Sequence, residues 1–172
     1  MRRSLLILTA SLSVTLTACT SEPVGPETVA GRASLAVGRH TPAIAVHGTF
    51  ASQENGVYDP ATNTVQLTLV GSGHASLLGR YSWDTSFLLD VASATAVGTV
   101  TVTAADGSTI TATTTGIGVA TNGIARIVET ATITGGTRRF HAATGTLRIE
   151  RTLNQGTGVS SGSISGQVNR GS

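Results

Sequence analysis

The histidines are the first residues of this chain whose type could support chemistry. His40, His47, His74 and His141 lie far apart, and no two have the spacing of metal ligands on one strand. His47 and His74 can nevertheless meet if neighbouring strands place them across from one another. We therefore take these two as candidate cavity or ligand-contact residues. The alternative is that each is an isolated surface or half-buried histidine.

Arg126 and Glu129 are a second pair of candidates for cavity or ligand contact. Both fall in a predicted strand, residues 123–134, and side chains in a strand point to opposite faces in turn. Without a bulge between them, one of the two should face the interior, where an ionised group is costly unless it meets a partner or a ligand. Alternatively, Glu129 pairs with Arg148 as a surface ion pair of small energy.

Two short segments match parts of catalytic or nucleotide-binding motifs, but neither has the neighbouring features that its motif requires. Residues 158–162 have the letters of a nucleophile elbow, but an elbow needs a helix after the turn and this segment begins a strand. Residues 116–121 lack the third glycine of a dinucleotide-binding loop. The chain has no lysine, which excludes Schiff-base chemistry and a P-loop lysine. We predict no catalytic residue, no metal site and no cofactor.

β-strands are the elements that must position these side chains. Apolar and polar residues alternate with a period of two, as in Val65, Leu67 and Leu69, and no helical stripe follows residue 20. Residues 147–153 repeat the pattern with Arg151 on the apolar face. Turn signals such as Glu54-Asn55-Gly56 separate the runs. The predicted strands cover residues 44–52, 64–77, 79–90, 97–105, 108–120, 123–134, 144–154 and 159–169.

The predicted fold is all-β. Eight strands joined by short turns leave sheet edges that must be hidden, and closure into a barrel removes them. The interior of an eight-stranded barrel is also just wide enough for side chains to fill. We predict a single eight-stranded antiparallel up-and-down barrel, with a two-sheet β-sandwich as the alternative.

The first residues have the features of a cleaved lipoprotein leader. Two arginines precede an apolar run over residues 5–16, which is too short for a transmembrane helix. The run ends Leu-Thr-Ala-Cys, which resembles the bacterial lipobox; the alternative is an ordinary signal peptide with an incidental cysteine. We predict a lipoprotein signal peptide over residues 1–18, a flexible tether with lipidated Cys19 over 19–31, and a β-barrel domain over 32–172.

Processing at this position leaves a chain with no net charge. Residues 1–18 contain two of the eleven basic residues, so nine basic and nine acidic residues follow them. Such a balance gives no reason to expect nucleic acid as a partner. The predicted location is the cell envelope: the outer membrane or periplasmic face where there are two membranes, otherwise the outer face of the cell membrane. Arg138 and Arg139 are candidates for contact with anionic lipid headgroups.

Three segments carry a family resemblance. Residues 133–145 read ITGGTRRFHAATG, residues 73–81 read GHASLLGRY, and residues 163–166 read SISG. In content and order they resemble bacterial proteins similar to the allene oxide cyclase and dirigent barrels. This resemblance implies a calycin-like antiparallel barrel with an axial cavity and implies no activity. The chain departs from the family pattern at Leu77 and Arg138.

A structural motif explains the first of these segments without chemistry. Gly135 and Gly136 permit the backbone to turn, and Phe140 can bury its ring as a plug at one end of the barrel. Gly145 completes the motif. We assign these four residues a structural role.

The leading functional prediction is a membrane-anchored, non-enzymatic barrel that binds a small lipophilic ligand. The second is an enzyme that steers a reactive intermediate inside the barrel, which is motivated only by analogy with the cyclase and dirigent proteins. The third is an envelope scaffold or adhesin, which the strands rich in threonine, serine and glycine suggest.

Overall fold

Residues 42–171 are described by the computed structural model, and they form a closed antiparallel barrel. Each strand pairs with the next along the chain, and β8 pairs with β1 to complete the ring. This confirms the predicted up-and-down barrel and excludes the sandwich. No helix within residues 42–171 is long and apolar enough to cross a membrane. The strands are β1 (Ile44–Asp59), β2 (Thr64–Ala75), β3 (Gly79–Asp90), β4 (Thr95–Ala104), β5 (Thr109–Thr121), β6 (Ile124–Gly136), β7 (Thr144–Asn154) and β8 (Val159–Asn169).

The end of β1 was predicted wrongly from the sequence. The predicted turn at residues 54–56 is wrong, because the strand continues to Asp59, whereas the other strand ends agree within two residues. The chain reverses after Asp59, whose carboxylate accepts a hydrogen bond from the Ala61 N–H at 2.9 Å. Gly56 instead allows a close approach, since a Cβ there would lie 2.9 Å from Cδ2 of Leu67. The Asn55-Gly56 pair therefore marks a place where β1 packs closely against Leu67, and the chain does not turn there.

One end of the barrel is closed. Inward-facing side chains in this half are mainly apolar and form the core, in which the rings of Phe50 and Trp83 lie 4.5 Å apart. A 3₁₀ helix, Arg138–Phe140, follows β6 at this end and buries Phe140 completely. Leu78, between β2 and β3, is buried beside it in the same core. The described chain also begins here, because Ile44 pairs with Val168 near the end of β8.

A bulge near the end of β6 lies next to Phe140, whose buried ring closes this end of the barrel. Gly135 pairs with Thr111 after one residue of β6 has been left without a partner, and the backbone then bends into the 3₁₀ helix. A Cβ on Gly136 would lie 2.2 Å from the carbonyl oxygen of Thr109, so no larger residue fits without a shift of the backbone. These two glycines therefore shape the approach of the chain to Phe140.

Large inward-facing side chains lie opposite glycines of the neighbouring strand. A Cβ on Gly71, for example, would lie 2.0 Å from Nε1 of Trp83. This alternation of large and absent side chains lets an eight-stranded interior hold groups that would otherwise collide. The register pairs are Gly73 with Tyr81, Gly71 with Trp83, Gly98 with Phe87, Gly116 with Glu129, and Gly162 with Arg151.

The ring of strands closes within residues 44–169. Every strand has two hydrogen-bonded neighbours within this range, so its pairing depends on no residue before Ile44. We therefore expect the predicted barrel domain, residues 32–172, to fold without the leader and tether.

Candidate ligand-binding cavity

The half of the barrel opposite the plug encloses a cavity of about 540 Å³. Its volume falls in the usual range for small-molecule sites, roughly 300–1,000 Å³. Small inward residues create the space, because the inward-facing positions of β4 and β5 in this half hold only alanine and glycine, such as Ala96 and Gly118. The large lining residues are mainly apolar: Val65, Leu67, Leu89, Val91, Ile117, Ile127 and Leu153.

Three charged side chains from three strands meet in the lining of this cavity. Arg151 of β7 donates a hydrogen bond from Nε to Oε1 of Glu129 on β6 at 3.0 Å. Its Nη1 donates to Oε2 of Glu54 on β1 at 2.6 Å and to the hydroxyl of Ser160 at 3.4 Å. The side chains of Arg151 and Glu129 are 2% exposed and that of Glu54 is 8% exposed. We call Glu54, Glu129 and Arg151 the buried ion cluster.

The buried ion cluster contains one cation and two carboxylates. Burial raises the pKa of Glu129, and the nearby Glu54 carboxylate adds to this effect, whereas Arg151 opposes it. Oε2 of Glu129 accepts no hydrogen bond from any residue that the structure describes. A buried oxygen without a partner costs roughly 1–3 kcal/mol, so the cluster favours a donor at this position.

A belt of inward polar residues separates the cavity from the apolar core. Along β5, for example, Thr114 lies between the core residue Ala112 and the cavity residue Gly116. Several hydroxyls of the belt make no hydrogen bond within residues 42–171, including that of Thr114. The belt consists of Ser52, Thr85, Thr114, Glu129, Arg151 and Ser160, which come from six of the eight strands.

The four candidate residues from the sequence divide between the two faces of the barrel. Glu129 faces inward and lines the cavity. His47, His74 and Arg126 are exposed on the outer face, because each neighbours an inward-facing residue on its strand and side chains alternate. They do not belong to the lining of the cavity.

The two histidines come close in the sheet without forming a metal site. His47 lies opposite Ser76 and His74 lies opposite Thr49, so they are diagonal neighbours on the outside of β1 and β2. Within residues 42–171, no three His, Cys, Asp or Glu residues are grouped so that they could hold a metal ion.

The predicted surface pair between Glu129 and Arg148 is wrong. Arg148 lies opposite Thr130 and points outward, where its Nε donates to Glu150 Oε1 at 2.7 Å. Glu129 lies opposite Ile149 and points inward to Arg151. The register differs by one residue from the one that the surface pair required, and such a shift exchanges the two faces of a strand.

Arg151 and Glu54 are the site residues that sequence reasoning missed. Alternation placed Arg151 on the same face as Leu147, Ile149 and Leu153, and an arginine on an apolar face is the signal that could have identified it. Glu54 carried no such signal, because the following Asn-Gly pair suggested a turn.

The remaining predictions concern the N-terminal segment of the sequence and residues at the closed end of the barrel. Cys19, the signal peptide and the tether lie outside the described residues. Arg138 and Arg139 lie exposed at the closed end, where Arg139 pairs with Asp106 at 3.1 Å and its guanidinium lies 4.7 Å from the ring centre of Phe140. Gly145 pairs with Val168 near the start of β7.

Catalytic use of the cavity would depend on Glu129. Its raised pKa and its position in the cavity lining give it the properties of a group that can hold and release a proton.

A comparison of the chain with protein-family models, curated proteins and solved structures finds no match, so the resemblance to cyclase and dirigent barrels stays a prediction.

Proposed function

We propose that this chain is an exported, lipid-anchored protein whose barrel binds a small, largely apolar molecule. The observation that carries the proposal is the cavity of about 540 Å³ with its mainly apolar wall. Transfer of an apolar ligand from water into such a site is favourable by roughly 25 cal/mol per Å² of surface buried. A barrel filled by side chains would offer no such surface, and here β4 and β5 leave the space open.

Exposed apolar side chains near the cavity support an apolar ligand. Val91, in the turn after β3, and Ile117, on β5, both line the cavity and are 45% and 56% exposed. Val57 and Val119, near the same ends of their strands, are 74% and 68% exposed. Val91 and Ile117 thus continue the apolar lining of the cavity to its exposed rim, which suits an apolar ligand.

The proposed anchor is compatible with access to the cavity. The described chain begins at the closed end, and the cavity lies at the opposite end. Attachment through Cys19 therefore does not require the cavity to be covered by the membrane. Incorporation of labelled palmitate into the chain, lost in Cys19→Ser, tests the anchor; label retained in that variant would contradict it.

A substitution inside the cavity tests ligand binding. Ala96→Trp places a large ring among the lining residues, whereas Val97→Trp places the same ring on the outer face one residue away, where Val97 is 55% exposed. We expect N-phenyl-1-naphthylamine, a neutral fluorescent probe, to bind the barrel domain and Val97→Trp. Ala96→Trp should bind it at least about tenfold more weakly, a loss of roughly 1.4 kcal/mol. Unchanged affinity in Ala96→Trp would overturn the proposal.

A second candidate is an enzyme that steers a reactive intermediate, and Glu129 favours it. A buried carboxyl group with a raised pKa can donate a proton to a bound molecule. Chemical conversion of a bound ligand, lost in Glu129→Gln while binding persists, would support this function. A scaffold that acts by strand pairing has less support, because every strand in residues 44–169 already has two neighbours.

A further inference from the structure

We infer that the cavity selects ligands that carry a cationic group, such as a protonated amine on an apolar body, and that this group binds Oε2 of Glu129. The inference rests on the proposed function and adds a ligand class to it. It also implies that apolar carboxylates are poor ligands.

The charges in the cavity lining support a cation. Arg151 is the only basic residue that residues 42–171 contribute to the lining, and its Nε and Nη1 are already engaged by Glu129 and Glu54. With both carboxylates ionised, the buried ion cluster has a net charge of −1. A ligand carboxylate would thus meet two like charges and compete with both for one guanidinium. A ligand cation would neutralise the cluster.

The geometry of Glu129 supports the same ligand. Its Oε1 is held by Arg151 at 3.0 Å, which leaves Oε2 as a buried acceptor with no donor among residues 42–171. Gly116 of β5 makes room for the side chain, since a Cβ at that position would lie 2.7 Å from Cγ of Glu129. An ammonium group supplies the missing donor, and hydrogen bonds between ionised groups are stronger than those between neutral ones.

The titration of Glu129 should be linked to amine binding. Burial raises the pKa of Glu129, and a bound cation would favour its ionised form. The charged groups that face Glu129 are Arg151 from β7 and Glu54 from β1, whereas β2, β3, β4 and β5 contribute only uncharged residues to the lining. Amine affinity should therefore weaken as acid protonates Glu129, and the affinity of a neutral ligand should change less.

Three ligands with the same alkyl chain test the inference. Decylamine, decanol and decanoate are titrated into residues 32–172 at pH 7, each displacing N-phenyl-1-naphthylamine. We expect decylamine to bind about tenfold more tightly than decanoate, with decanol between them. Decanoate binding as tightly as decylamine would overturn the inference. If decanol binds and the amine has no advantage, only this inference fails; if none of the three binds, the proposed function fails with it.

Variants assign the preference to Glu129. Glu129→Gln keeps the shape and removes the charge, so the advantage of decylamine over decanol should disappear while decanol still binds. Glu150→Gln is the matched control, because Glu150 is exposed on the outer face of β7 and should leave the preference unchanged. A preference that survives in Glu129→Gln would contradict the assignment. If Glu129→Gln does not fold, a wild-type amine preference that stays constant as the pH is lowered from 7, for as long as the barrel remains folded, would contradict it equally.

Discussion

Arg151 and Gly162 lie opposite each other on β7 and β8, and a Cβ on the glycine would lie 2.8 Å from Cβ of the arginine. The absent side chain on β8 leaves room for the guanidinium to turn inward toward Glu129 and Glu54. Gly116 has the same relationship with Glu129 across β5 and β6. The buried ion cluster thus depends on two glycines that carry no chemistry themselves.

Gly162→Ala should destabilise the barrel. The added Cβ would lie 2.2 Å from the carbonyl oxygen of Glu150, so the backbone or Arg151 must move. Overpacking of this kind costs about 1–3 kcal/mol. Urea unfolding followed by the fluorescence of Trp83, the only tryptophan, measures the change. Ser161→Ala, at the exposed neighbouring position, should change stability by about 0.5 kcal/mol or less. Equal unfolding midpoints for the two variants would contradict the packing argument.

Arg151→Met should be among the most destabilising single substitutions. It leaves the carboxylates of Glu54 and Glu129 buried without their cation, and such a loss costs roughly 3–5 kcal/mol. The free energy of unfolding in urea at pH 7 is the measurement. Arg148→Met breaks an ion pair whose side chains are more than half exposed, so it should cost only about 0–1 kcal/mol.

A second substitution separates charge from packing in this comparison. Glu129→Gln in the Arg151→Met background removes one of the two unpaired charges and should recover part of the lost stability. If the double variant is as unstable as Arg151→Met alone, the cost lies in lost packing of the arginine side chain and not in unpaired charge.

The number and order of the strands could be predicted because each run alternates apolar and polar residues between turn signals. β7, for example, was predicted with its observed ends, Thr144 and Asn154. β1 was cut short because the Asn55-Gly56 pair has the same letters as a tight turn, although the chain reverses only after Asp59. Local residue preferences do not distinguish a turn from a glycine that makes room for Leu67 across the sheet.

The buried ion cluster could be predicted only in part. The alternation of side chains along a strand predicts that either Arg126 or Glu129 faces inward. Which of the two does so depends on the register between neighbouring strands, and the sequence alone does not give that register. Arg151 could have been identified, because strand alternation places it on the otherwise apolar face of β7. Glu54 is 97 residues away from Arg151 and reaches it only when β8 pairs with β1 and closes the ring. A contact that closure of the barrel creates has no local signature in the sequence.

Acid should weaken the turns after β1 and β3. Asp59 accepts hydrogen bonds from the Ala61 N–H and the Thr62 hydroxyl, and Asp90 accepts one from the Ser93 N–H. These bonds lower the pKa of both carboxyl groups below 3.8. Because the folded pKa is depressed, the stabilisation is present above pH 3.8 and is lost as pH falls below it. The Asp59→Asn and Asp90→Asn double variant should therefore differ most from wild type near neutral pH. A difference that stays constant down to pH 2 would contradict the linkage.

Alkali should destabilise the barrel through Tyr81. Burial raises the pKa of this phenol from 10.0 to about 12, and a Cβ on Gly73 would lie 2.8 Å from its oxygen, so the ring is closely packed. The folded state therefore holds the proton more tightly than the unfolded chain does. The resulting stabilisation is complete below pH 10.0 and is lost as pH rises toward about 12.

The Tyr58→Phe variant isolates this titration, because the chain has only two tyrosines. Its absorbance at 295 nm should show tyrosinate forming well above pH 10.0, and the free energy of unfolding should fall over the same range. Tyr81→Phe cannot ionise, so its stability should fall less steeply between pH 10 and 12. Tyrosinate that appears near pH 10 while Trp83 fluorescence still reports a folded barrel would mean that solvent reaches the phenol. The closed half of the barrel would then be less tightly packed around Tyr81 than its contacts indicate.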